Sequence, residues 1–562
     1  MLEKHWQIAQ TISSEAETNL AKFPPILRQV LFNRGYAEAE SANHYLAALL
    51  STDNDPFLML GMEAAVDRLQ SAIQHRQPIV IYGDYDADGV TATALLVETL
   101  QALGAEVSGY IPDRFDEGYG LNTAALRQLK EGGAAVVVTV DCGIRSVAEA
   151  EEAQRLGLDL IISDHHNPGP ETPPALAILN SKQADCPYPD KQLAGVGTAF
   201  KLAAALADRM QPADWGVERV LDLAALGTVA DLVPLIGENR WMVREGLARI
   251  RRPQRQGLMA LMGVSGLTPA RVNSGDIGYV LGPRLNAAGR LDSALEAYRL
   301  LLSTDIFEAG KLAQDLDNRN RERQRMTREM AEIALELAGA EDSQKRLLVA
   351  VHPEFNSGVV GLVASRLVEQ AYRPAVVGQI GEEYTRASCR SIAEFHITDA
   401  LQLCADLLEK FGGHAAAAGF TVRNDRLPEL LERLEAIAEE QLGGLELHPT
   451  LHADGEVKLA DLRADLLHQL ELLEPTGYGN PNVSFVSRGL QVQSGRTVGK
   501  DSSHLKLTVT DGRVTFDAIA FRLGHWAQDL PKAVDLLYRF EANEFNGQQR
   551  LQLNVRDLRP SN

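Results

Sequence analysis

The 562-residue sequence predicts an α/β protein with a parallel-sheet domain, a long linker helix, a second and smaller α/β domain, and a closed β-barrel. Three observations support this fold class. From about residue 60 to 240, short apolar strands alternate with amphipathic helices, which is typical of a parallel sheet covered by helices. Residues 303–338 contain no proline and one glycine, Gly310, which favours a single helix. Beyond residue 447, short strands are separated by hairpin signals.

The parallel-sheet domain is expected at residues 51–302, after a short helical segment at 1–50. Its strands are expected at Ile79–Tyr82, Val107–Ile111, Ala135–Val140, Leu158–Ile162 and Ala175–Leu179. Ligand sites in such sheets form beyond the carboxyl ends of the strands. The residues that follow each strand are therefore the first candidates for chemistry.

The linker helix is expected at residues 303–340. Four apolar residues of its second half are spaced to form one packing face, namely Met326, Met330, Ile333 and Leu337. The basic run at 318–329 reads NRNRERQRMTRE. Its arginines fall on opposite sides of the helix and alternate with glutamates, which favours a solvated surface over a nucleic-acid-binding stripe.

The smaller α/β domain is expected at 341–446 and the barrel at 447–562. Within the barrel, the segments LKLTVTDGRVTFDAIAF and YRFEANEFNGQQRLQLNV are expected to form hairpins. Their turns are predicted at Asp511-Gly512 and Asn546-Gly547, because Asp-Gly and Asn-Gly adopt the left-handed conformations of tight hairpin turns.

Composition excludes several classes of protein. The net charge is −21, which disfavours broad nonspecific binding to polyanions but allows an enzyme with a confined basic groove. The four cysteines, Cys142, Cys186, Cys389 and Cys404, lack C-x-x-C spacing, so neither a disulfide framework nor a zinc site is expected. No secretory signal and no apolar run of roughly 18 residues is found. We therefore expect a cytoplasmic protein without membrane contact.

The first strand is followed by three alternating aspartates, Asp84, Asp86 and Asp88, in the segment GDYDADG. A calcium loop of the EF-hand type begins in this way, but its twelfth position requires a glutamate, and Leu95 stands there. An EF-hand loop also follows a helix, whereas the apolar run before this motif is typical of a buried strand. These residues therefore do not fit a calcium loop.

Other strand ends carry further candidate metal ligands. Asp141 ends the strand VVVTV, Ser163-Asp164-His165-His166 follows the next strand, and Asp231 follows a helical stretch. The alternative is that single aspartates cap helices and that the histidines are solvated. Convergence at one sheet edge favours a metal site. Carboxylates with imidazole and no thiolate suit Mn²⁺ or Mg²⁺, and so many carboxylates favour two ions and hydrolysis of a phosphate ester or anhydride.

The motifs GDYDADG, VDCG, SDHH and GTVADLVPL resemble those of the DHH phosphoesterase superfamily. Downstream, the motifs GPRLNAAGR, SGVVGLVASRL, ASCRSI and GGHAAAAGF resemble the associated DHHA1 domain and the linker motif before it. Together with GYGNP and a barrel that resembles an OB-fold, the chain is similar to bacterial single-strand-specific DNA exonucleases. The resemblance covers nearly the whole chain beyond residue 50.

The resemblance implies that six residues hold two ions, Mn²⁺ or Mg²⁺: Asp84 (as a ligand or a buttress), Asp86, Asp88, Asp141, His165 and Asp231. Asp141 is expected to bridge the ions. Asp164 is expected to orient its neighbours, and His166 to face the substrate phosphate as an electrophile or proton donor.

The resemblance also implies a set of DNA contacts. Phosphate and backbone contacts are expected from motif residues, namely Arg284, Asn286, Arg290, Ser388 and Arg390. His414, on a loop of small residues, is expected at the scissile phosphate. Arg114 and Tyr119 are candidates for a phosphate contact and a stacking face. For each arginine the alternative is an ordinary ion pair.

The implied activity is 5′→3′ hydrolysis of single-stranded DNA to 5′-mononucleotides, in repair and recombination. We expect a monomer that works with a single-strand-binding protein and a helicase. Two alternatives stay open. One is a phosphodiesterase for short oligonucleotides or cyclic dinucleotides, or a pyrophosphatase, although these are typically shorter and lack the barrel. The other is a non-enzymatic single-strand-binding scaffold, which the intact carboxylates disfavour.

Overall fold

The computed structural model describes residues 2–50, 53–113, 117–118, 120–291, 293–342, 344–545 and 548–561. The chain forms two compact units. One consists of residues 1–6 and 318–451, and the other of residues 7–317 and 452–562. Each unit has its own apolar cores. Among the described residues, no helix has the length and apolar character required to cross a bilayer.

The N-terminal segment consists of β1 (His5–Ile8), α1 (Ser14–Asn19), α2 (Pro25–Asn33) and α3 (Ala39–Ala47). Its helices pack apolar residues such as Leu27 and Leu31 into the same core as Phe485 and Val534 of the C-terminal barrel. Arg34 adds an ion pair, with Nη1 3.0 Å from Oδ1 of Asp454. This segment therefore stabilises the barrel.

The parallel sheet is formed by β2 (Ile79–Tyr82), β3 (Val107–Tyr110), β4 (Val136–Val140), β5 (Asp159–Ser163) and β6 (Ala177–Leu179). The strand order is β3-β2-β4-β5-β6 and every pair is parallel. The predicted strands are confirmed, with bounds that differ by at most two residues. The carboxyl ends of all strands lie at one edge, where five of the six predicted metal ligands follow, and Asp231 follows α9.

The helices of this domain are α4 (Met62–Gln74), α5 (Ala87–Ala102), α6 (Thr123–Glu131), α7 (Val147–Leu156), α8 (Gly195–Met210), α9 (Leu221–Ala230), α10 (Gly237–Ile250), α11 (Gln256–Val264), α12 (Ser274–Asp276), α13 (Gly282–Leu291) and α14 (Leu295–Leu302). A π-helical turn, Ile277–Leu281, joins α12 to α13. Helices α4, α5 and α8 cover one face of the sheet, and α6 and α7 cover the other. The sheet is buried on both faces, which explains its continuous apolar strands.

The predicted long helix is α15 (Ile306–Leu337). Its predicted packing face is partly wrong, because the side chains of Ile333 and Leu337 are about half exposed. The buried face of its second half contains Met330, Ala331 and Ala334, and Ala338 continues this face directly after the helix. Small side chains let the helix approach the neighbouring strands closely, and this tertiary preference overrides the periodicity of the larger residues.

The smaller sheet contains β7 (Leu348–His352), β8 (Ala375–Ile380), β9 (Tyr384–Arg390), β10 (Leu408–His414) and β11 (Ala417–Arg423), in the order β10-β11-β9-β8-β7. Its helices are α16 (Val360–Ala371), α17 (Ile397–Gln402) and α18 (Leu427–Leu442). Helix α16 packs on one face with α15, and α17 and α18 pack on the other. The predicted second α/β domain is confirmed.

The C-terminal region contains β12 (Thr450–Ala453), β13 (Gly455–Glu456), α19 (Ala464–Glu471), β14 (Phe485–Val498), β15 (His504–Thr510), β16 (Thr515–Ala520), β17 (Ala533–Phe545) and β18 (Gln548–Pro560). Strands β14-β15-β16-β18-β17 form a barrel that closes by pairing β14 with β17. The predicted hairpin at Asp511-Gly512 is confirmed. The predicted turn at Asn546-Gly547 lies outside the described residues.

Candidate metal centre

The aspartate loop joins β2 to α5 in a tightly packed turn. A Cβ added to Gly89 would lie 2.6 Å from the backbone nitrogen of Asp84, so only glycine fits there. Asp86 caps α5, because its Oδ1 accepts hydrogen bonds from the backbone N–H groups of Asp88 (2.9 Å) and Gly89 (3.1 Å). These contacts hold the three alternating carboxylates in place at the helix start.

Asp88 is buried in the first turn of α5 and contacts the start of α8. Its Oδ2 accepts from the Gly195 N–H (2.7 Å) and its Oδ1 from the Val196 N–H (2.8 Å). Burial, followed by the neighbouring charge of Asp86, raises the pKa of Asp88 to about 7. The carboxylate is therefore held rigidly although the surroundings disfavour its charge.

Gly195 was not among the predicted site residues. A Cβ at this position would lie 2.7 Å from the Cβ of Asp141, so α8 approaches two candidate ligands as closely as a backbone can. A glycine that opens a helix was the only local signal for this role, and many such glycines serve as ordinary turns. Only the close contact with Asp141 reveals that Gly195 helps to position the candidate ligands.

Asp141 directly follows β4 and adopts a left-handed backbone conformation, with φ of 63°. Its backbone N–H donates to Ser163 O (3.0 Å), one strand away. The side chain is buried, and its pKa is raised well above the usual range by burial and then by Asp88, Asp86, Asp231 and Asp84. A non-glycine residue with positive φ is uncommon and is often found at functional sites.

Asp164 is buried and accepts hydrogen bonds on both carboxylate oxygens. Oδ2 accepts from the Ile144 N–H (2.9 Å), and Oδ1 accepts from the N–H groups of His165 (2.7 Å) and His166 (3.1 Å). The Nδ1 of His166 also donates to Oδ1, at 2.7 Å. This carboxylate orients the two histidines, which is the geometry expected of the predicted positioning role.

His165 is buried between two carboxylates. Its Nε2 lies 3.1 Å from Oδ1 of Asp141 and 3.6 Å from Oδ2 of Asp231, without a regular hydrogen bond to either. Burial, and then the nearby His166, lowers the pKa of His165 to about 3. The imidazole is therefore neutral at pH 7, which is the form that binds a metal ion.

The candidate ligands form three overlapping groups, in each of which the ligand atoms lie within 4.8 Å of one another. The groups are Asp84, Asp86 and Asp141; Asp88, His165 and Asp231; and Asp141, His165 and His166. Burial and mutual repulsion also raise the pKa of Asp231 to about 9. Such a concentration of buried carboxylates around a neutral imidazole fits divalent cations such as Mn²⁺ or Mg²⁺. All six predicted ligands belong to these groups, and His166 joins one of them.

Lys182 was not predicted either. It is half-buried, and its charge acts on both Asp231 and Asp164. Asn180 connects it to the histidine loop, because its Nδ2 donates to His166 O (2.8 Å) while its Oδ1 accepts from the Lys182 N–H (2.8 Å). A single lysine in a loop offers no sequence pattern that would have identified it.

The motif GPRLNAAGR forms α13, which packs on the aspartate loop. A Cβ at Gly289 would lie 2.5 Å from Tyr85 O, and Oδ1 of Asn286 accepts from the Ala87 N–H (2.7 Å). The structure thus places Asn286 in a contact that supports the metal loop. Arg290 is half-buried in the last turn of the helix.

Arg284 forms an ion pair with a carboxylate of the protein, which is the alternative considered above to a phosphate contact. Its Nη2 lies 2.9 Å from Oδ1 of the fully buried Asp317, and its Nη1 donates to Val280 O (2.7 Å). The guanidinium neutralises a buried carboxylate, and the contact of Arg284 with DNA phosphate stays a prediction. Arg114 and Tyr119 lie outside the described residues.

Ser388, Arg390 and His414 lie in the smaller sheet. Antiparallel pairing places Arg390 opposite Ala417, and Ala417 opposite His414, so the three residues share one face. Ser388 lies on the same face, and its Oγ accepts from Nη1 of Arg390 (3.0 Å). His414 ends strand β10, so its predicted position within a loop is wrong, although a two-residue turn follows it.

Comparison with protein families gives three matches in chain order. Residues 78–228 match the N-terminal domain of the DHH family, residues 344–440 match the DHHA1 domain, and residues 453–557 match the RecJ OB domain. The first of these contains almost all of the candidate metal ligands, and Asp231 follows three residues beyond it.

Full-length relatives agree with the domain matches. The single-stranded-DNA-specific exonuclease RecJ of Bacillus subtilis (strain 168) is 40% identical over 558 residues, covering 98% of this chain and 70% of the relative. That of Escherichia coli (strain K12) is 37% identical over 565 residues, covering 96% of each. The crystal structure of RecJ from Thermus thermophilus in complex with Mn²⁺ has a TM-score of 0.86 and 31% identity, covering 99% of this chain and 80% of that one. By sequence, domain order and fold, this chain belongs to the RecJ family.

Proposed function

We propose that this protein is an exonuclease that hydrolyses single-stranded DNA from the 5′ end to 5′-mononucleotides, with Mn²⁺ or Mg²⁺, in DNA repair and recombination. The observation that carries the proposal is the cluster of buried carboxylates around neutral His165, inside a chain whose full-length relatives are single-stranded-DNA-specific exonucleases. We propose a single-strand-binding protein and a helicase as its partners, because they would hold or produce the single strands that this activity consumes.

Two divalent ions at this centre would supply Lewis-acid activation of water and neutralise charge on the phosphate. Asp84, Asp86, Asp88, Asp141, His165 and Asp231 would hold them. The chain contributes rigid geometry: Asp88 is held by two N–H groups and Asp164 by four donors. Burial lowers the pKa of His166. The hydrogen bond to Asp164 and the nearby carboxylates outweigh this effect, so that the pKa is raised overall. We assign His166, which is 41% exposed, a proton-donating contact with the phosphate.

We assign the 5′ phosphate to the face of the smaller sheet that also carries α16. Ser388 and Arg390 lie there beside the start of α16, where a Cβ at Gly361 would lie 3.0 Å from Ser388 Oγ and 3.1 Å from Arg390 Nη2. The neighbouring positions on this face are Gly412, Ala417 and Gly419. A guanidinium and a hydroxyl above a floor of small residues suit a terminal phosphate.

The test is digestion of single-stranded DNA labelled at either end, with Mn²⁺ or with EDTA. We expect immediate release of a labelled mononucleotide from the 5′ label with Mn²⁺, none with EDTA, and little digestion of duplex DNA. Release from the 3′ label first would contradict the assigned polarity. Rapid hydrolysis of pyrophosphate or of a dinucleotide, without digestion of long DNA, would contradict the assigned substrate.

The Asp164→Asn substitution is expected to lower kcat/KM about 10–100-fold, which is typical for residues that orient metal ligands. The amide can accept on one oxygen only, so the hydrogen bonds to the histidines or to the Ile144 N–H are lost. The Mn²⁺ concentration for half-maximal rate should rise in parallel, and excess Mn²⁺ should restore part of the rate. An unchanged metal requirement would contradict the positioning role.

The Arg390→Ala substitution is expected to lower kcat/KM for a 5′-phosphorylated strand about 10–100-fold, because a charged hydrogen bond contributes about 1.5–3 kcal/mol. A strand with a 5′ hydroxyl should be affected much less. Arg433→Ala is the matched control, because Arg433 pairs with Asp406 and Glu429 at the helix on the other face. Equal losses on both strands would contradict the assignment of the 5′ phosphate to this arginine.

A further inference from the structure

Three large apolar side chains are exposed beside the metal centre: Leu232 (69%), Tyr279 (86%) and Tyr478 (64%). Their segments contact one another within one unit of the chain. The Leu235 N–H donates to Tyr478 O (2.8 Å), and Ser274 Oγ donates to Thr476 O. Exposed apolar groups that cluster in this way commonly mark a binding surface.

The local backbone keeps these side chains on the surface. Leu232 directly follows the candidate ligand Asp231 and adopts a left-handed conformation, with φ of 60°, which is rare for a bulky residue. Gly479, which directly follows Tyr478, packs closely against Pro234. A Cβ at Gly479 would lie 2.8 Å from the Cβ of Pro234. Tyr279 lies in the π-helical turn, and the adjacent Gly278 packs on Val229, two residues before Asp231.

Two arginines of the barrel lie within electrostatic range of the Tyr279 segment. Arg539 on β17 interacts electrostatically with Tyr279, with Arg556 on β18 and with Glu541 of its own strand. Within the described part of the chain, the buried Nε of Arg539 has no hydrogen-bond partner. Glu541 offsets only one of the two guanidinium charges, and the repulsion between them makes a further anion beside them favourable.

Aromatic faces next to arginines are complementary to single-stranded DNA, whose bases are free to stack and whose phosphates follow at short intervals. Duplex DNA lacks this complementarity because its base faces are already stacked. In the proposed reaction the candidate ligands would hold one phosphodiester at a time, so the rest of the strand requires a separate surface. The exposed side chains begin at the residue after a metal ligand and continue towards the barrel.

We propose that Leu232, Tyr279 and Tyr478 form a base-stacking ledge for single-stranded DNA outside the metal centre, with Arg539 and Arg556 contacting its phosphates. The ledge rests on the proposed function, since it binds the part of the same substrate that is not being hydrolysed. Two interactions would then contribute to the affinity for single strands: stacking of the bases on the ledge and attraction of the phosphates to the arginines.

The test measures equilibrium binding of the full-length protein in EDTA, which separates binding from hydrolysis. One fluorescent oligonucleotide carries bases, and a second has the same phosphates but abasic sugars. The wild-type protein is expected to bind the strand with bases at least about tenfold more tightly. Tyr279→Ala and Tyr478→Ala should each remove much of this difference while leaving affinity for the abasic strand unchanged.

Two further variants complete the test. Arg539→Gln should weaken binding of both strands alike and reduce the salt dependence of binding. Phe307→Ala is the matched control, because Phe307 is an equally exposed aromatic (88%) on α15, and it should retain the base preference. Tyrosine variants that keep the full base preference would overturn the ledge and leave the proposed function intact. A wild-type protein that binds neither strand would overturn the proposed function as well.

Discussion

The Asp141→Asn substitution is expected to lower kcat/KM for single-stranded DNA at least about 10³-fold, which corresponds to roughly 4 kcal/mol of transition-state stabilisation. Asp141 belongs to two of the three candidate ligand groups, so one change removes a charged ligand from both of these groups. Asparagine has the same shape as aspartate and tolerates the left-handed backbone of this position. The loss should therefore arise from the missing charge and not from misfolding.

Thermal unfolding distinguishes these two causes. Burial and neighbouring aspartates raise the pKa of Asp141, so this carboxyl group destabilises the metal-free folded state at a pH above its unfolded pKa. The neutral amide removes that penalty, and the metal-free variant should unfold at the wild-type Tm or above it. Mn²⁺ should raise the Tm of the wild-type protein strongly and that of the variant weakly. A variant with a much lower metal-free Tm would show that Asp141 is needed for folding itself.

The Gly195→Ala substitution is expected to lower kcat/KM about 10²-fold or more, although no charge is changed. The new Cβ would lie 2.7 Å from Cβ of Asp141, and the Gly195 N–H also donates to Asp88. Relief of the overlap must displace one or both candidate ligands, and a displacement of about 1 Å at a catalytic centre costs about 10²-fold in rate. Overpacking should also reduce the free energy of unfolding by about 1–3 kcal/mol.

Gly197→Ala provides the matched control, two residues further along α8. The nearest atom to a Cβ there is the terminal Cε of Met242 at 3.2 Å, which can move. Alanine also favours a helix over glycine by about 1 kcal/mol, so this variant should keep its activity and its stability. Wild-type activity in Gly195→Ala would show that the close approach of α8 does not hold the candidate ligands in place.

The candidate ligands show how far sequence reasoning extends. Asp84, Asp86, Asp88, Asp141 and His165 all follow buried apolar strands, and carboxyl ends of parallel strands meet at one sheet edge. Their convergence therefore follows from local pattern and fold class together. The three groups of neighbouring ligand atoms contain all six predicted ligands. The roles of individual residues, such as bridging by Asp141, stay predictions.

The protein contacts of two residues predicted to bind DNA could not be predicted from the sequence. Arg284 and Asn286 lie in one motif, but Arg284 pairs with Asp317 and Asn286 supports the aspartate loop. A side chain in a helical motif can face DNA, a buried carboxylate or another loop, and the spacing is the same in each case. Its partner depends on residues far away in the sequence.

The sequence by itself determined the fold class, the strand positions and the set of candidate metal ligands, because each leaves a local signal of apolar period, turn chemistry or charge at a strand end. The tertiary structure alone decided the role of Gly195, the donors around Asp164, the alanine face of α15 and the exposed group of Leu232, Tyr279 and Tyr478. These features depend on close contacts or exposure set by the packing of distant segments, for which a linear sequence carries no periodic signal.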